Sequence, residues 1–224
     1  MKEIAHIETN FPEKFGIPRQ SGLVESLKAR IIFEPEFRTA DAFKGLEEYS
    51  HIWIIWKFSK AERKNWSATV KPPRLGGNKR MGVFATRSPF RPNPIGLSSV
   101  KLEKIVQEEG LGTVLYVSGA DLMDGTPIYD IKPYLAYTDS HPEAMGGFAD
   151  QVKDHKLEVE FPPEYRNGMP EDIYESVVGI LEQDPRPSYI QDPERVFGVT
   201  YHHYNIKFQV DEKLLRVIAV ENME

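Results

Sequence analysis

The densest chemistry in the chain lies in Gly82 to Leu102, GVFATRSPFRPNPIGLSSVKL, where Arg87 and Arg91 stand among Pro89, Pro92 and Pro94. Each proline fixes φ and removes a backbone donor, so this centre is neither a helix nor a central strand. A rigid, irregular turn results, and it presents its two guanidiniums with little freedom left to lose. Rigid loops between strands are favoured places for sites. A second loop, Phe15-Gly16-Ile17-Pro18-Arg19-Gln20-Ser21-Gly22, offers an arginine and a glutamine with several donors. Glycine and proline also mark ordinary surface turns, which is the plain alternative for this segment. A third loop, Asp121 to Pro127, carries Asp121 and Asp124, and Asp-Gly-Thr-Pro at its end would make a good turn anywhere. Arg19 and Arg87 can bind a carboxylate bidentately, while Asp121 and Asp124 can accept from hydroxyls or an amino group.

Other chemistries are excluded or unsupported. The chain has no cysteine, which rules out disulfides, thiolate zinc sites and cysteine nucleophiles. His202 and His203 are adjacent, so on a strand they would point to opposite faces and chelate poorly, and no metal is expected. No G-x-G-x-x-G follows a strand, so a nucleotide site must be built without a Rossmann turn. The net charge of −6 opposes indiscriminate nucleic-acid binding, yet Arg63 to Leu102 contains no Asp or Glu. Arg63, Lys64, Lys71, Arg74, Lys79, Arg80, Arg87, Arg91 and Lys101 fall in that segment, so an acidic protein can carry a cationic face. The alternative is dispersed, solvated charge.

The elements that must position these loops are mostly strands. Glu3 to Thr9, Ala29 to Glu34, His51 to Phe58, Met81 to Thr86, Leu97 to Val106, Thr113 to Ala120 and Ile128 to Pro133 read as strands. His51 to Phe58 reads as buried, with its tryptophans in the core. Asp41 to Leu46 reads as a short helix with Thr39 as N-cap. Regularly spaced strands with few helices predict a closed or nearly closed sheet. The pattern weakens between Tyr137 and Pro170, which predicts a change of domain. Beyond it, Pro170 to Glu182 is a predicted helix with Ile173, Val177, Ile180 and Leu181 on one face, stopped by Asp184-Pro185-Arg186-Pro187. Val196 to Thr200, Tyr204 to Val210 and Leu214 to Val220 are predicted strands. The fold class is therefore mainly β: a single-sheet β-barrel over 1–138 and a small α+β domain over 139–224. Apolar runs fall short of the roughly 18 residues that span a bilayer, and a cytoplasmic protein is expected.

GVFATRSPFRPNPIGLSSVKL resembles the signature of the tRNA-methyltransferase O (TrmO, TsaA-like) family. FGIPRQSGLV at Phe15 to Val24, Gly45 to Phe58, VKPPRLGGNKRMG at Val70 to Gly82, DLMDGTPIYDIKPYL at Asp121 to Leu135 and DPRPSY at Asp184 to Tyr189 extend the likeness over most of the first 138 residues and part of the rest. The resemblance implies a barrel enzyme that uses S-adenosylmethionine to methylate the exocyclic nitrogen of threonylcarbamoyladenosine beside the anticodon of tRNA. It implies a homodimer as well. The donor-binding residues it implies are Pro18, Arg19 and Gln20, then Arg87, Leu97, and Asp121, Leu122, Met123 and Asp124. Ser59 and Lys60, which follow the strand ending at Phe58 where many relatives have a histidine, are expected to contact the donor as well. Lys71, Arg74, Lys79, Arg80, Arg91 and Arg186 are expected to meet RNA. No catalytic residue is assigned: Asp124, Asp130 and Tyr134 stay open as proton acceptors. A non-catalytic RNA-binding module and a sensor of S-adenosylmethionine are the competing readings.

Overall fold

The computed structural model describes residues 1–61, 65–72, 75, 79–166, 168–187, 189–190 and 192–223. In the first part of the chain lie β1 (Ala5–Glu8), β2 (Lys28–Phe33), β3 (His51–Lys57), β4 (Thr69–Val70), β5 (Met81–Gly82), β6 (Ile95–Glu108), β7 (Gly112–Ser118) and β8 (Thr126–Pro133). Six of these close into a barrel in the order β1-β2-β7-β6-β3-β8, and every pairing is antiparallel. Its interior is branched aliphatic: Ile7, Ile31, Ile52, Ile54, Leu115, Leu122 and Ile128 are fully buried. Each such side chain contributes about 1.5–3 kcal/mol on burial. Closure also removes the exposed sheet edges that would invite aggregation.

The strand predictions hold in existence and roughly in extent, with instructive departures. β3 alternates buried and half-buried residues instead of being buried throughout, because one face of a barrel strand always looks outward. Trp56 is in the core, whereas Trp53 is half-buried and donates its indole N–H to Asp139 Oδ2 at 2.8 Å. The expected strand Met81 to Thr86 is only β5 followed by a 3-10 turn, Val83–Ala85. Its partner β4 has two residues, so the ladder ends at Gly82. The expected helix at Asp41 to Leu46 is replaced by two 3-10 turns, Ala40–Phe43 and Leu46–Glu48, and Thr39 makes no side-chain cap.

The rest of the chain holds α1 (Ala136–Asp139), β9 (Glu158–Glu160), α2 (Glu171–Glu182), β10 (Phe197–Tyr201), β11 (Tyr204–Asp211) and β12 (Leu214–Asn222). The sheet order is β10-β11-β12-β9, with β9 parallel to β12. β9 lies in the segment read as patternless, although Leu157, Val159 and Phe161 carry a period of two across it. As the spacing predicts, α2 buries Ile173, Val177, Ile180 and Leu181. It stops where Asp184 takes φ 51°. His202 and His203 are not on a strand. They form the turn between β10 and β11, with ring centroids 4.2 Å apart. No helix among the described residues is long and apolar enough to cross a membrane.

The connection between β1 and β2 leaves the barrel and packs into the second core. Its Phe11, Val24 and Leu27 are buried with α2 and the second sheet, although they sit in the barrel half of the sequence. Gly16 has φ +93°, and a Cβ there would lie 2.7 Å from Val199 Cγ1, so only glycine fits where this loop crosses β10.

Candidate functional site

Antiparallel order fixes which loops meet. The C-terminal ends of β1, β3 and β7 and the N-terminal ends of β2, β6 and β8 share one end of the barrel, as the pairs Glu8↔Arg30, Lys57↔Ile95, Lys28↔Ser118 and Ile7↔Thr126 require. The connections 9–27, 58–94 and 119–125 therefore converge there, and they carry nearly all of the expected donor-binding residues. Backbone bonds sew them together: Gly22 N–H to Gly119 O at 2.9 Å, Gly119 N–H to Leu27 O at 2.9 Å, and Asp124 N–H to Phe11 O at 2.9 Å.

At their junction Arg87 Nη1 donates to Gln20 Oε1. The proline-rich turn behind Arg87 is braced by Arg91, whose Nη1 donates to Thr86 O at 2.9 Å. Beside Arg87 lies Asp121, which accepts from Ser98 Oγ at 2.6 Å, and Ser98 Oγ accepts in turn from Trp56 Nε1 at 2.9 Å. Burial pushes the Asp121 carboxyl above its ordinary value of 3.8, opposed by the Ser98 hydrogen bond, its own backbone, the Arg87 charge and the Ser21 N–H. Ser99 N–H donates to Ser21 Oγ at 3.1 Å and pins the first loop to β6. Leu97, next to Ser98 in the chain but on the outward phase of β6, is more than half exposed. A guanidinium suited to a carboxylate, a carboxylate suited to an ammonium or hydroxyls, and an exposed apolar side chain are the partners that S-adenosylmethionine requires.

Not every expected residue joins this cluster. Leu122 is buried in the barrel core, so its side chain is unavailable; its carbonyl accepts from Thr9 Oγ1 at 3.2 Å. The Met123 carbonyl accepts from Thr126 Oγ1 at 2.6 Å and closes its own turn, whereas Asp124 Oδ1 accepts from Thr9 N–H at 2.9 Å and ties this loop to the end of β1. Pro18 and Arg19 line a cleft with Lys14, Ile17, Ile180 and Asp184 at the end of α2, while the next residue, Gln20, reaches Arg87. Ser59 and Lys60 follow β3, where Lys14 Nζ holds the Lys60 carbonyl at 2.6 Å. Among the residues expected to meet RNA, Lys71, Lys79 and Arg80 are exposed, and Arg74 lies outside the described residues. Arg186 is corrected: its side chain is 8% exposed and pairs with Asp184 Oδ1 at 2.9 Å, because the chain folds this arginine back over the stop of α2. Asp184 also holds His155 Nε2 at 2.9 Å.

The three groups left open as proton acceptors fare no better. Tyr134 stands at the opposite end of the barrel, its ring 5.4 Å from that of Trp53. Asp130 is ion-paired with Lys132 at 3.0 Å, and Asp124 is committed to Thr9. Ser98, Trp56 and Ser21 were not singled out from sequence. Ser98 had a signal: it occupies the inward phase of β6 between Gly96 and Val100, where a serine needs a partner.

Comparison with known proteins gives this arrangement a family. The model of the tRNA-methyltransferase O N-terminal domain matches residues 6–140, and that of the TrmO C-terminal domain matches residues 154–223. The chain is 40% identical over 228 residues to the tRNA (adenine(37)-N6)-methyltransferase of Escherichia coli K12, covering 98% of this chain and 97% of that protein. It is 44% identical over 163 residues to the mouse protein of the same name, covering 70% of this chain and 35% of that one. A crystal structure of TrmO from Pseudomonas aeruginosa superposes with a TM-score of 0.79 at 34% identity, over 98% of this chain and 95% of that one. By the matched domains, the full-length relative and the shared barrel, the chain belongs to the tRNA-methyltransferase O family.

Proposed function

We propose that the chain methylates the exocyclic nitrogen of threonylcarbamoyladenosine next to the anticodon of tRNA, using S-adenosylmethionine. Its broad activity is that of the family: S-adenosylmethionine-dependent methylation of adenine N6 in tRNA. The observation that carries the reading is the meeting of Gln20, Arg87, Ser98 and Asp121 at one barrel mouth. When bound, S-adenosylmethionine supplies an electrophilic methyl group. Arg87 and Gln20 would hold its carboxylate, Asp121 its ammonium or ribose hydroxyls, and Leu97 an apolar face. Trp56 and Ser98 keep the Asp121 carboxylate in one orientation before anything binds, which lowers the cost of ordering the site. The target nitrogen is neutral and loses a proton on methylation. Holding it in line can supply about 7–11 kcal/mol in favourable cases, so a strong base is not obligatory.

We assign 1–138 to donor binding and 139–224 to a small domain that helps hold the RNA. Lys71, Lys79 and Arg80 meet phosphates flanking the target base, which the acid-free stretch of sequence supports. A homodimer in the cytoplasm completes the reading.

Radiolabelled donor with tRNA carrying or lacking the threonylcarbamoyl group tests it. Label should enter only the modified tRNA. Donor binding without transfer to either RNA would leave a sensor, and RNA binding alone a non-catalytic module. Charge reversal at Lys79 and Arg80 should weaken tRNA binding and leave donor affinity nearly intact; equal loss of both would mean the two sites are not separate.

A further inference from the structure

We propose that Trp66 and Phe84 form a stacking platform for an unpaired nucleotide of the anticodon loop, close to the adenosine that is methylated. The proposal rests on the tRNA-methyltransferase reading and adds to it a contact with a base. Trp66 is 54% exposed and Phe84 72%, and their rings lie 6.1 Å apart with an angle of 30° between planes. The other tryptophans do not compete for this role, since Trp56 and Trp53 hold Ser98 and Asp139 through their indole nitrogens. An exposed pair of large aromatics bordered by cations is the usual means of gripping single-stranded nucleic acid, because every base has a π-face.

The pair is held out rather than left loose. β4 and β5 pair Thr69 with Gly82 and Val70 with Met81, and Val83 N–H donates to Ala68 O at 2.9 Å. Val83, 1% exposed, anchors the 3-10 turn, so its neighbour Phe84 faces outward. Arg80 lies across the same hairpin, its Nε donating to Thr69 Oγ1 at 2.7 Å and its Nη2 to Thr69 O at 3.3 Å. Lys71 and Lys79 are exposed nearby in sequence, and no acidic residue occurs between Glu62 and Glu103. That charge favours a polyanion over a second copy of this acidic chain as the occupant. Phe84 precedes Arg87 by three residues, about 10 Å of extended chain at most, so a base stacked here lies beside the donor pocket.

Full-length Trp66→Ala, Phe84→Ala and Trp66→Phe proteins should be compared with wild type in three measurements. These are affinity for a fluorescent anticodon stem-loop across a salt series, donor affinity by calorimetry, and self-association by sedimentation. Each alanine variant should bind RNA roughly 5- to 150-fold more weakly, the span that corresponds to about 1–3 kcal/mol of stacking per base. Donor affinity should be unchanged. The slope of log affinity against log salt should also stay as in wild type, because no phosphate contact has been removed. Trp66→Phe should recover most of the binding. Wild-type RNA affinity in folded alanine variants overturns the platform, as does a parallel loss of donor affinity, which would make the pair a prop for the loop. Lost self-association with RNA affinity intact overturns it too, and assigns the pair to an interface between copies. A wild-type protein that binds no tRNA defeats the methyltransferase reading itself, whereas a variant that binds like wild type defeats only the platform.

Discussion

Asp121 shows how one residue can be unfavourable for folding and still stand at the centre of the proposed site. Its carboxyl is pushed up by burial, and Arg87, Ser21 and Ser98 only partly offset that cost. A raised native value means that the native state holds this proton more tightly than the unfolded chain does. The stabilising contribution is therefore complete below the ordinary value of 3.8 and is lost as pH rises through the raised one. Asp121→Asn keeps an oxygen for Ser98 but cannot ionise. The variant should melt higher than wild type at neutral pH, and the advantage should vanish as pH falls toward the ordinary aspartate range. Donor affinity should fall by about 1.5–3 kcal/mol, as for a lost hydrogen bond to a charged group. Melting curves across pH together with calorimetry check both halves. A variant no more stable at neutral pH than wild type would mean that the buried charge is fully compensated.

At the scale of elements, the barrel mouth depends on how closely β6 approaches β3. A Cβ at Gly96 would overlap the indole of Trp56, directly opposite it in the register, so glycine is required there for space rather than for its φ. Gly96→Ala should push Trp56 off Ser98, cost about 1–3 kcal/mol of stability as overpacking does, and loosen the hold on Asp121. Denaturant unfolding and donor calorimetry should move together; loss of stability with donor affinity intact would uncouple Trp56 from the site. The first half of the same strand was read correctly as a strand, but its serine was overlooked, since alternation reveals the phase and not the partner. The 3-10 turn at Val83–Ala85 was unreadable for a related reason. Val83 and Phe84 look like strand residues, and only the two-residue length of β4 ends their pairing.

Across the whole molecule, the connection between β1 and β2 ties the Gln20–Arg87 junction, the barrel and the second sheet together. Phe11 and Val24 enter the second core, His202 N–H donates to Asn10 O at 2.8 Å, and a few residues along the loop Gln20 reaches Arg87. The C-terminal part thus positions the loop that carries Gln20. The proposed homodimer is a property of this same scale, and sedimentation at micromolar concentration should give twice the chain mass of 25.7 kDa. A monomer there would contradict it.

Sequence by itself determined most of the strands, α2, the rigidity of the proline-rich turn and, through long motifs, the family. These are local properties, written in the period of apolar residues and in the φ restriction of proline. Tertiary structure decided which polar residues meet. Arg87, Gln20 and Asp121 are far apart in the chain and are joined only by the order of strands around a closed barrel. The same closure sends Leu122 into the core and Tyr134 to the far end, and the packing of α2 buries Arg186 against Asp184. Residue type names the chemistry available at each position, but burial and partners are set by contacts distant in sequence, and those exist only once the barrel has closed.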